Sequence, residues 1–366
     1  MSRRSAAEAH VLVVGSRPAG AATAIRLAHR GVRVTLAARE ERGAPHGGES
    51  LPPAIVPLLS ELGVLPDLLR GPHLPSYGNE SAWGTEVVRM HSFMISPHGT
   101  GWHIDRGAFD DMLLGAAERA GANIVLGGAP GRAPTFVVDA TGRGAHVARR
   151  QGVSRVHTDH MIAVVGVLRE RPLAACARTS LVEAAEHGYW YSAPLPGDRL
   201  VCAYFTDPPL WNETRRKSAD AFHTLLRNTR HVSARAAGHN SAWSLVVAPA
   251  GTSRLARLHG PGWLAVGDAA ACRDPLSSGG IYEAIRSGIR AADAIASQHD
   301  GDAGAVQAYA ADLEARFSRD LVRRRAVYLR ERRFPDSPFW ARRRTEARMF
   351  PHTPTTTHEK EDKPWP

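Results

Sequence analysis

At 366 residues, with 43% hydrophobic and 22% charged side chains, the chain is long and apolar enough to bury a core as two or three units in one body, which excludes wholesale disorder. The formal net charge of +10 comes almost wholly from arginine, since the only lysines are Lys217, Lys360 and Lys363. An Arg-, Ala-, Gly- and Pro-rich composition reads first as genomic bias and second as an anion-steering surface, so no nucleic-acid partner is expected.

The residues from Met1 to His10 run directly into an apolar stretch at 11–14 that is too short for a signal-peptide core or a membrane span, so a cytoplasmic location and no membrane partner are expected. Residues 11–14 read as a buried strand, Gly15 to Gly20 as a turn, 21–30 as a helix ended by Gly31, and 32–37 as a second strand. This is one β-α-β unit, the element that binds the ADP half of a dinucleotide. Residues 41–100 are rich in Gly, Pro and Ser with one short helical stretch at 54–62, and read as an excursion from the nucleotide fold. Helix returns at 109–120, with Phe109, Met112, Leu113 and Ala116 at apolar spacing, and 136–138 is another buried strand. Apolar or alternating runs at 161–168, 188–195 and 200–206 predict an antiparallel sheet. A last buried strand at 263–266 leads into Gly267-Asp268, followed by a small-residue helix at 280–297 and a basic helix at 316–333. Residues 353–366 have the composition of a disordered tail.

The first turn, Gly15-Ser16-Arg17-Pro18-Ala19-Gly20, is a GxGxxG fingerprint with arginine in place of the middle glycine. Gly15 permits the tight turn and Gly20 lets helix and strand approach, while the missing glycine is the one that brings backbone close to a pyrophosphate. A side chain at Arg17 must therefore point away or contact the phosphates itself. The acidic residue expected at the end of the second strand falls at Ala38, followed by Arg39 and Glu40. Losing a hydrogen bond to a charged group costs about 1.5–3 kcal/mol unless Glu40 substitutes. Arg17 on a phosphate could return a similar amount. Weakened rather than absent binding is expected, and the turn alone also fits a β-α-β unit that holds nothing. Three later segments bear on the choice: Arg106 with Phe109-Asp110 at the head of a helix, Asp139-Ala140-Thr141-Gly142 after one strand, and Gly267-Asp268 after another.

In that set and order the chain resembles the FAD-dependent aromatic hydroxylase and tryptophan halogenase-like superfamily, over residues 10–345. The resemblance implies FAD, with Arg106 contacting it, Asp139 and Gly142 supporting it, and Asp268 bonding the ribityl chain. Gly15, Arg17, Pro18, Ala19, Gly20, Arg39 and Gly267 join them as cofactor-binding residues. The segment from Asp274 to Ile281 ends in Gly279-Gly280 at the opening of a helix, which would aim backbone N–H groups at the flavin ring. A helix N-terminus carries about half a positive charge and favours the anion that reduced flavin becomes, so Pro275, Gly279 and Gly280 are cofactor-binding too. A purely structural turn is the alternative. Gly47-Gly48-Glu49-Ser50-Leu51-Pro52-Pro53 resembles the loop that bridges flavin and substrate in halogenase-like members, which makes Glu49 the candidate catalytic residue; a solvated loop carboxylate weighs equally.

Such halogenases place a lysine after this loop, whereas every lysine here is at 217 or later, and the WxWxIP signature is missing around Gly188-Tyr189-Trp190-Tyr191-Ser192-Ala193-Pro194-Leu195. Halogenation is disfavoured. The closest resemblance is to flavoproteins that mature quinone-cofactor amine oxidases, such as lysine ε-oxidase and glycine oxidase, by hydroxylating a tryptophan of the partner protein. It is carried by Ser76-Tyr77-Gly78-Asn79-Glu80-Ser81-Ala82-Trp83-Gly84, Gly101-Trp102-His103-Ile104-Asp105-Arg106, Trp190-Tyr191-Ser192-Ala193-Pro194-Leu195-Pro196 and Arg333-Phe334-Pro335-Asp336-Ser337-Pro338-Phe339-Trp340.

The fold implied is α/β: a discontinuous Rossmann-like FAD domain (8–55, 95–155 and 245–300), an excursion on the substrate side (56–94), an antiparallel substrate layer (156–244), C-terminal helices (301–350) and the tail (351–366). The implied activity is monooxygenation of an indole- or tryptophan-like substrate, either a small aromatic molecule or a side chain of a partner protein, with electrons from NAD(P)H or a separate flavin reductase. An oxidase or dehydrogenase of a specialised metabolite, and a flavin-poor accessory protein, are the alternatives. Tyr189, Trp190 and Tyr191 on one strand line a pocket or pack a core. Metal binding is not expected: His157 and His160 stand at His-x-x-His spacing without a carboxylate or cysteine pattern, and Cys176, Cys202 and Cys272 form no CxxC pair.

Overall fold

The computed structural model describes residues 10–39, 50–127, 133–168, 178–213, 219–237 and 245–349. His10–Val14 and Arg33–Ala38 pair in parallel in a six-stranded sheet, whose order across is 259–260, 263–265, 136–139, 10–14, 33–38 and 123–126. All pairs are parallel except the hairpin between His259–Gly260 and Trp263–Ala265. Its inner strands are near-continuous apolar runs because both faces are covered: Val11, Val13, Val34, Leu36 and Val138 are fully buried.

The helix Pro18–His29 begins with proline at its first turn, where a missing N–H costs nothing, and is rich in alanine. Its small side chains let it lie directly on Gly280–His299, and Arg26 Nε donates to Asp293 Oδ1 at 2.8 Å to pin the pair.

The second layer is a seven-stranded sheet, ordered 245–249, 162–168, 199–206, 188–195, 179–185, 78–82 and 89–92. It is antiparallel throughout except where 78–82 meets 179–185. Sequence reading anticipates three of these strands. Thr179–Ala185 escapes because Thr179, Ser180 and Glu183 interrupt its apolar pattern. Tertiary partners make them buriable: Thr179 Oγ1 donates to Glu80 Oε1 (2.7 Å), Ser180 Oγ to Asn79 Oδ1 (2.6 Å), and Glu183 accepts the N–H groups of Arg230, His231 and Val232. Residues 78–82 and 89–92 lie within the expected excursion, and 245–249 lies past the expected layer boundary at 244, yet all three join this one sheet.

Both faces of the sheet are covered. Tyr189 and Phe205 stack at 4.7 Å on the side of Trp83, Tyr328 and Trp340, whereas Trp190 and Tyr204 stack at 4.9 Å on the side of Phe222. Alternation along Gly188–Leu195 thus feeds two cores, HPHP logic with no polar half.

The C-terminal helices are Ala305–Arg330 and Pro338–Met349. The first begins eleven residues before the basic stretch that marks it in sequence, because Asp312 and Glu314 dilute the charge there. Its arginines are not a solvated face: Arg316 and Arg324 are buried on Glu283 (2.9 Å) and on Asp159 and Asp274 (2.7 Å each). Among the described residues no helix is long and apolar enough to cross a membrane.

Candidate functional site

The glycine turn is held by the two strands that flank the one it leaves. Gly15 N–H donates to Ala37 O (2.9 Å) and Ala140 N–H to Val14 O (2.9 Å), and Gly15 sits at φ +109°. A Cβ on Gly15 would lie 2.3 Å from Ala140 O, and one on Gly20 would lie 1.7 Å from Gly15 O. No other residue fits at either position. Arg17 caps the helix in extended conformation (φ −73°, ψ 177°), and its side chain is exposed. Pro18 and Ala19 are buried behind it. The N–H groups of the first helical turn are a ready anion site. At the end of the second strand Ala38 is buried and Arg39 is exposed, 3.4 Å from His146 Nε2; Glu40 lies outside the described residues.

The two aspartates that follow strands differ sharply. Asp139 is fully buried, and its carboxylate accepts Thr141 N–H (3.0 Å), Thr141 Oγ1–H (2.6 Å) and Ala148 N–H (2.9 Å). It shapes the turn carrying Gly142, which has φ +69° and open space where a Cβ would stand. Asp268 has a half-exposed side chain, with Arg143 Nε 3.9 Å away. It follows Gly267, whose N–H donates to Ser287 Oγ (3.0 Å). Arg106 opens the helix Arg106–Arg119 and donates to Asp110 Oδ1 (2.8 Å). Beside it, Asp105 caps the helix by accepting Ala108 N–H (2.9 Å) and also binds Arg199 (2.6 Å); the backbone bond first, and the guanidinium with it, hold its carboxyl below the usual range.

Further along the chain, Asp274 to Gly280 forms a loop braced by buried groups. Asp274 accepts Leu276 N–H (2.9 Å), Tyr189 OH (3.2 Å), Tyr328 OH (3.0 Å) and Arg324 Nε (2.7 Å). Burial, and then the charge of Asp274, drive the phenols of Tyr189 and Tyr328 well above their ordinary value, so both stay protonated donors. Pro275 opens a short 3-10 turn, Gly279 caps the 20-residue helix Gly280–His299, and a Cβ on Gly280 would meet nothing.

This loop faces a small cleft, with about 10 Å³ open to the centre of a water-sized sphere, walled by Ser278, Gly279 and Tyr282 on one side and by Ser50, Asn79 and Phe93 on the other. Ser50 pairs with His103 in the strand register and its Oγ lies 2.8 Å from His103 Nδ1 and 2.7 Å from Tyr191 OH. Burial, with the charge of Arg235 adding to it, pushes the His103 ring down to about 3. All three adjacent aromatics, Tyr189, Trp190 and Tyr191, are buried in the cores, and Tyr191 reaches the cleft through its hydrogen bond with Ser50. Glu49 precedes Ser50 but lies outside the described residues.

Sequence reading does not single out Ser50, His103 or Asp274. Each looks ordinary alone: Ser50 meets His103 and Tyr191 across 53 and 141 residues, and Asp274 meets Tyr189 across 85. His157 and His160 stack at 5.0 Å, and among the described residues no three His, Cys, Asp or Glu side chains gather to hold a metal. Burial raises the thiols of Cys202 to about 12 and Cys272 to about 11, which leaves both unreactive.

An anion-binding helix start, an aspartate turned to solvent and a glycine-led helix N-terminus beside an open cleft offer what a dinucleotide with a planar electron-accepting ring requires. The comparisons agree. The putative FAD-dependent oxidoreductase LodB of Marinomonas mediterranea is 28% identical over 357 residues, covering 91% of this chain and 96% of LodB. Among solved structures, the flavin-dependent halogenase CmlS has a TM-score of 0.82 at 23% identity, covering 94% of this chain and 68% of its own. QhpG, a peptidyl tryptophan dihydroxylase essential for tryptophylquinone cofactor biogenesis, has a TM-score of 0.75 at 24% identity, covering 92% and 79%. Other flavin-dependent halogenases and brominases match as well. No family model matches.

Proposed function

We propose, from the premise that the chain is an FAD-dependent oxidoreductase with the halogenase-like fold, that it is a monooxygenase hydroxylating an indole- or tryptophan-type ring, borne by a partner protein. The observation that carries this reading is the cleft in which the glycine-led N-terminus of Gly280–His299 faces the wall formed by Ser50, Asn79 and Phe93.

In this reading the N–H groups at Ala19 and Gly20 take the pyrophosphate, with Pro18 setting the first turn behind them, the exposed Arg17 swung over it and Arg39 near the adenosine end. Asp268, turned to solvent behind Gly267, accepts ribityl hydroxyls, and Arg106 and Gly142 flank the cofactor. Asp139 acts one step back, by holding the Gly142 turn. Bound FAD, once reduced, supplies activation of dioxygen and transfer of one oxygen atom to an electron-rich ring.

The protein's own part is binding, orientation and exclusion of water. The helix N-terminus at Gly279 and Gly280, following Pro275, stabilises negative charge placed beside it. Phe93 and Tyr282 present apolar walls that keep water from the reacting ring. Glu49, next to Ser50, is the group assigned to proton handling at the flavin–substrate border. A protein-borne substrate is supported by QhpG, which by description acts on a peptidyl tryptophan. Electrons come from NAD(P)H or from a flavin reductase.

Halogenation is the second reading, because flavin-dependent halogenases share the fold. The lack of any lysine before Lys217 supports hydroxylation over it. Purified protein that is yellow, and that adds one oxygen atom to a tryptophan-bearing peptide when given FAD and NAD(P)H or a reductase, supports the proposal. Bromination of that peptide in bromide supports halogenation instead. A colourless protein that takes up no FAD on incubation overturns both.

A further inference from the structure

Serine offers one O–H donor and two acceptor positions. Around Ser50 two of these three are committed inward, to His103 Nδ1 at 2.8 Å and Tyr191 OH at 2.7 Å, by residues that belong to three different strands. Which atom donates is decided at the other end of the imidazole. His103 is fully buried, its Nε2 makes no hydrogen bond, and the backbone carbonyl of Arg178 acts on the ring as an acceptor. With Nδ1 taken by Ser50 Oγ, an acceptor carbonyl at the ring favours the proton on Nε2, which leaves Nδ1 as the acceptor. Ser50 Oγ–H therefore donates to Nδ1. Tyr191 OH then donates to Ser50 Oγ, and one Oγ lone pair remains, on a residue that lines the cleft opposite Gly279.

Deep burial keeps His103 neutral at ordinary pH, so this polarity does not reverse: the serine shows the cleft an acceptor and never a donor. The rest of that wall is apolar at Leu51, Pro52 and Phe93, and its other polar residue, Asn79, has its Oδ1 engaged by Ser180 Oγ–H at 2.6 Å. An acceptor lone pair in so largely apolar a wall rejects ligands that cannot satisfy it, because each would leave it desolvated and unpaired.

We propose that Ser50 is the substrate-orienting residue of the cleft, held as a fixed hydrogen-bond acceptor by His103 and Tyr191, and that it selects aromatic rings that carry a ring N–H, the indole and pyrrole class. The inference rests on the monooxygenase reading, since it takes the cleft as the place where a substrate ring lies beside the cofactor. His103 and Tyr191 are positioning residues in it, acting through the serine.

The test is equilibrium binding to the FAD-loaded, oxidised full-length protein, measured by calorimetry without reductant, so that no turnover is needed. Indole and benzofuran have the same shape and differ in the ring N–H. Wild type is expected to bind indole about tenfold more tightly, the worth of one well-made hydrogen bond. The Ser50→Ala protein, with its melting temperature recorded to show that it is folded, is expected to bind the two equally. The wild-type ratio is expected to stay flat between about pH 6 and 9, because the imidazole does not titrate there.

Equal affinities in wild type, no measurable indole binding at millimolar concentration, or an undiminished ratio in Ser50→Ala overturns the inference. So does a ratio that collapses between pH 7 and 6, which would mean that His103 charges. Ser50→Ala that weakens FAD itself about tenfold while leaving the indole ratio intact also overturns it, and assigns the acceptor to the flavin imide N–H. These failures leave the monooxygenase reading standing, whereas a protein that never takes up FAD removes that reading separately.

Discussion

Acidification should destabilise this protein, and one residue, His103, contributes a share that can be isolated. His103 has an ordinary value of 6.5 and is held at about 3 in the folded chain, first by burial and then by Arg235. The folded state therefore resists binding a proton that the unfolded state takes readily below 6.5. By linkage, stability is fully present above that value and is lost as pH falls, until the folded ring itself protonates near 3. Each pH unit inside the window costs about 1.4 kcal/mol, so between neutrality and about pH 5 the histidine alone should remove about 2 kcal/mol. Urea unfolding of the full-length chain at about pH 7.5 and about pH 5 measures the total change, which includes every other titrating group. The same measurement on His103→Asn, whose amide can still reach Ser50 but cannot charge, removes only this residue's share. The variant is expected to be less stable at neutral pH, from lost volume, and less sensitive to acid by about 2 kcal/mol. Equal acid sensitivity of the two proteins would refute the claim that His103 is folded in a neutral, desolvated state.

Gly20→Ala should abolish folding or cost more than about 3 kcal/mol, because the new Cβ would stand 1.7 Å from the Gly15 carbonyl; a melting temperature within a few degrees of wild type would count against the turn geometry. Arg324→Met should destabilise by about 3–5 kcal/mol, since it leaves Asp159 and Asp274 buried without their cation, and denaturant midpoints read this directly. The two post-strand aspartates should separate. Asp139→Ala strands three donors and should lose about 2–4 kcal/mol of stability, whereas Asp268→Asn should leave the melting curve nearly unchanged and weaken FAD uptake about tenfold, followed by flavin fluorescence. Asp268→Asn protein that binds FAD as wild type does would remove that residue from the cofactor site.

The strands at 10–14 and 33–38 were readable because buried parallel strands are unbroken apolar runs, and the turn between them because only glycine fits at Gly15 and Gly20. The post-strand aspartates are readable as a set, although no local pattern signals that Asp139 is spent on its own turn while Asp268 faces solvent. Thr179–Ala185 was not readable, because its polar side chains are buried only by partners far along the chain, such as Glu80 and the backbone at 230–232. The arginines of Ala305–Arg330 read in sequence only as a basic helix, and some of them are ion pairs inside the protein.

By itself, then, the sequence determined the nucleotide-binding layer and the order of its segments, since those depend on local periodicity and on backbone positions that exclude a side chain. Only the tertiary structure decided what surrounds the cleft. Ser50, His103 and Tyr191 meet through pairings between strands distant in sequence, and the neutral state of the His103 ring follows from burial, a quantity that no local pattern of residues records.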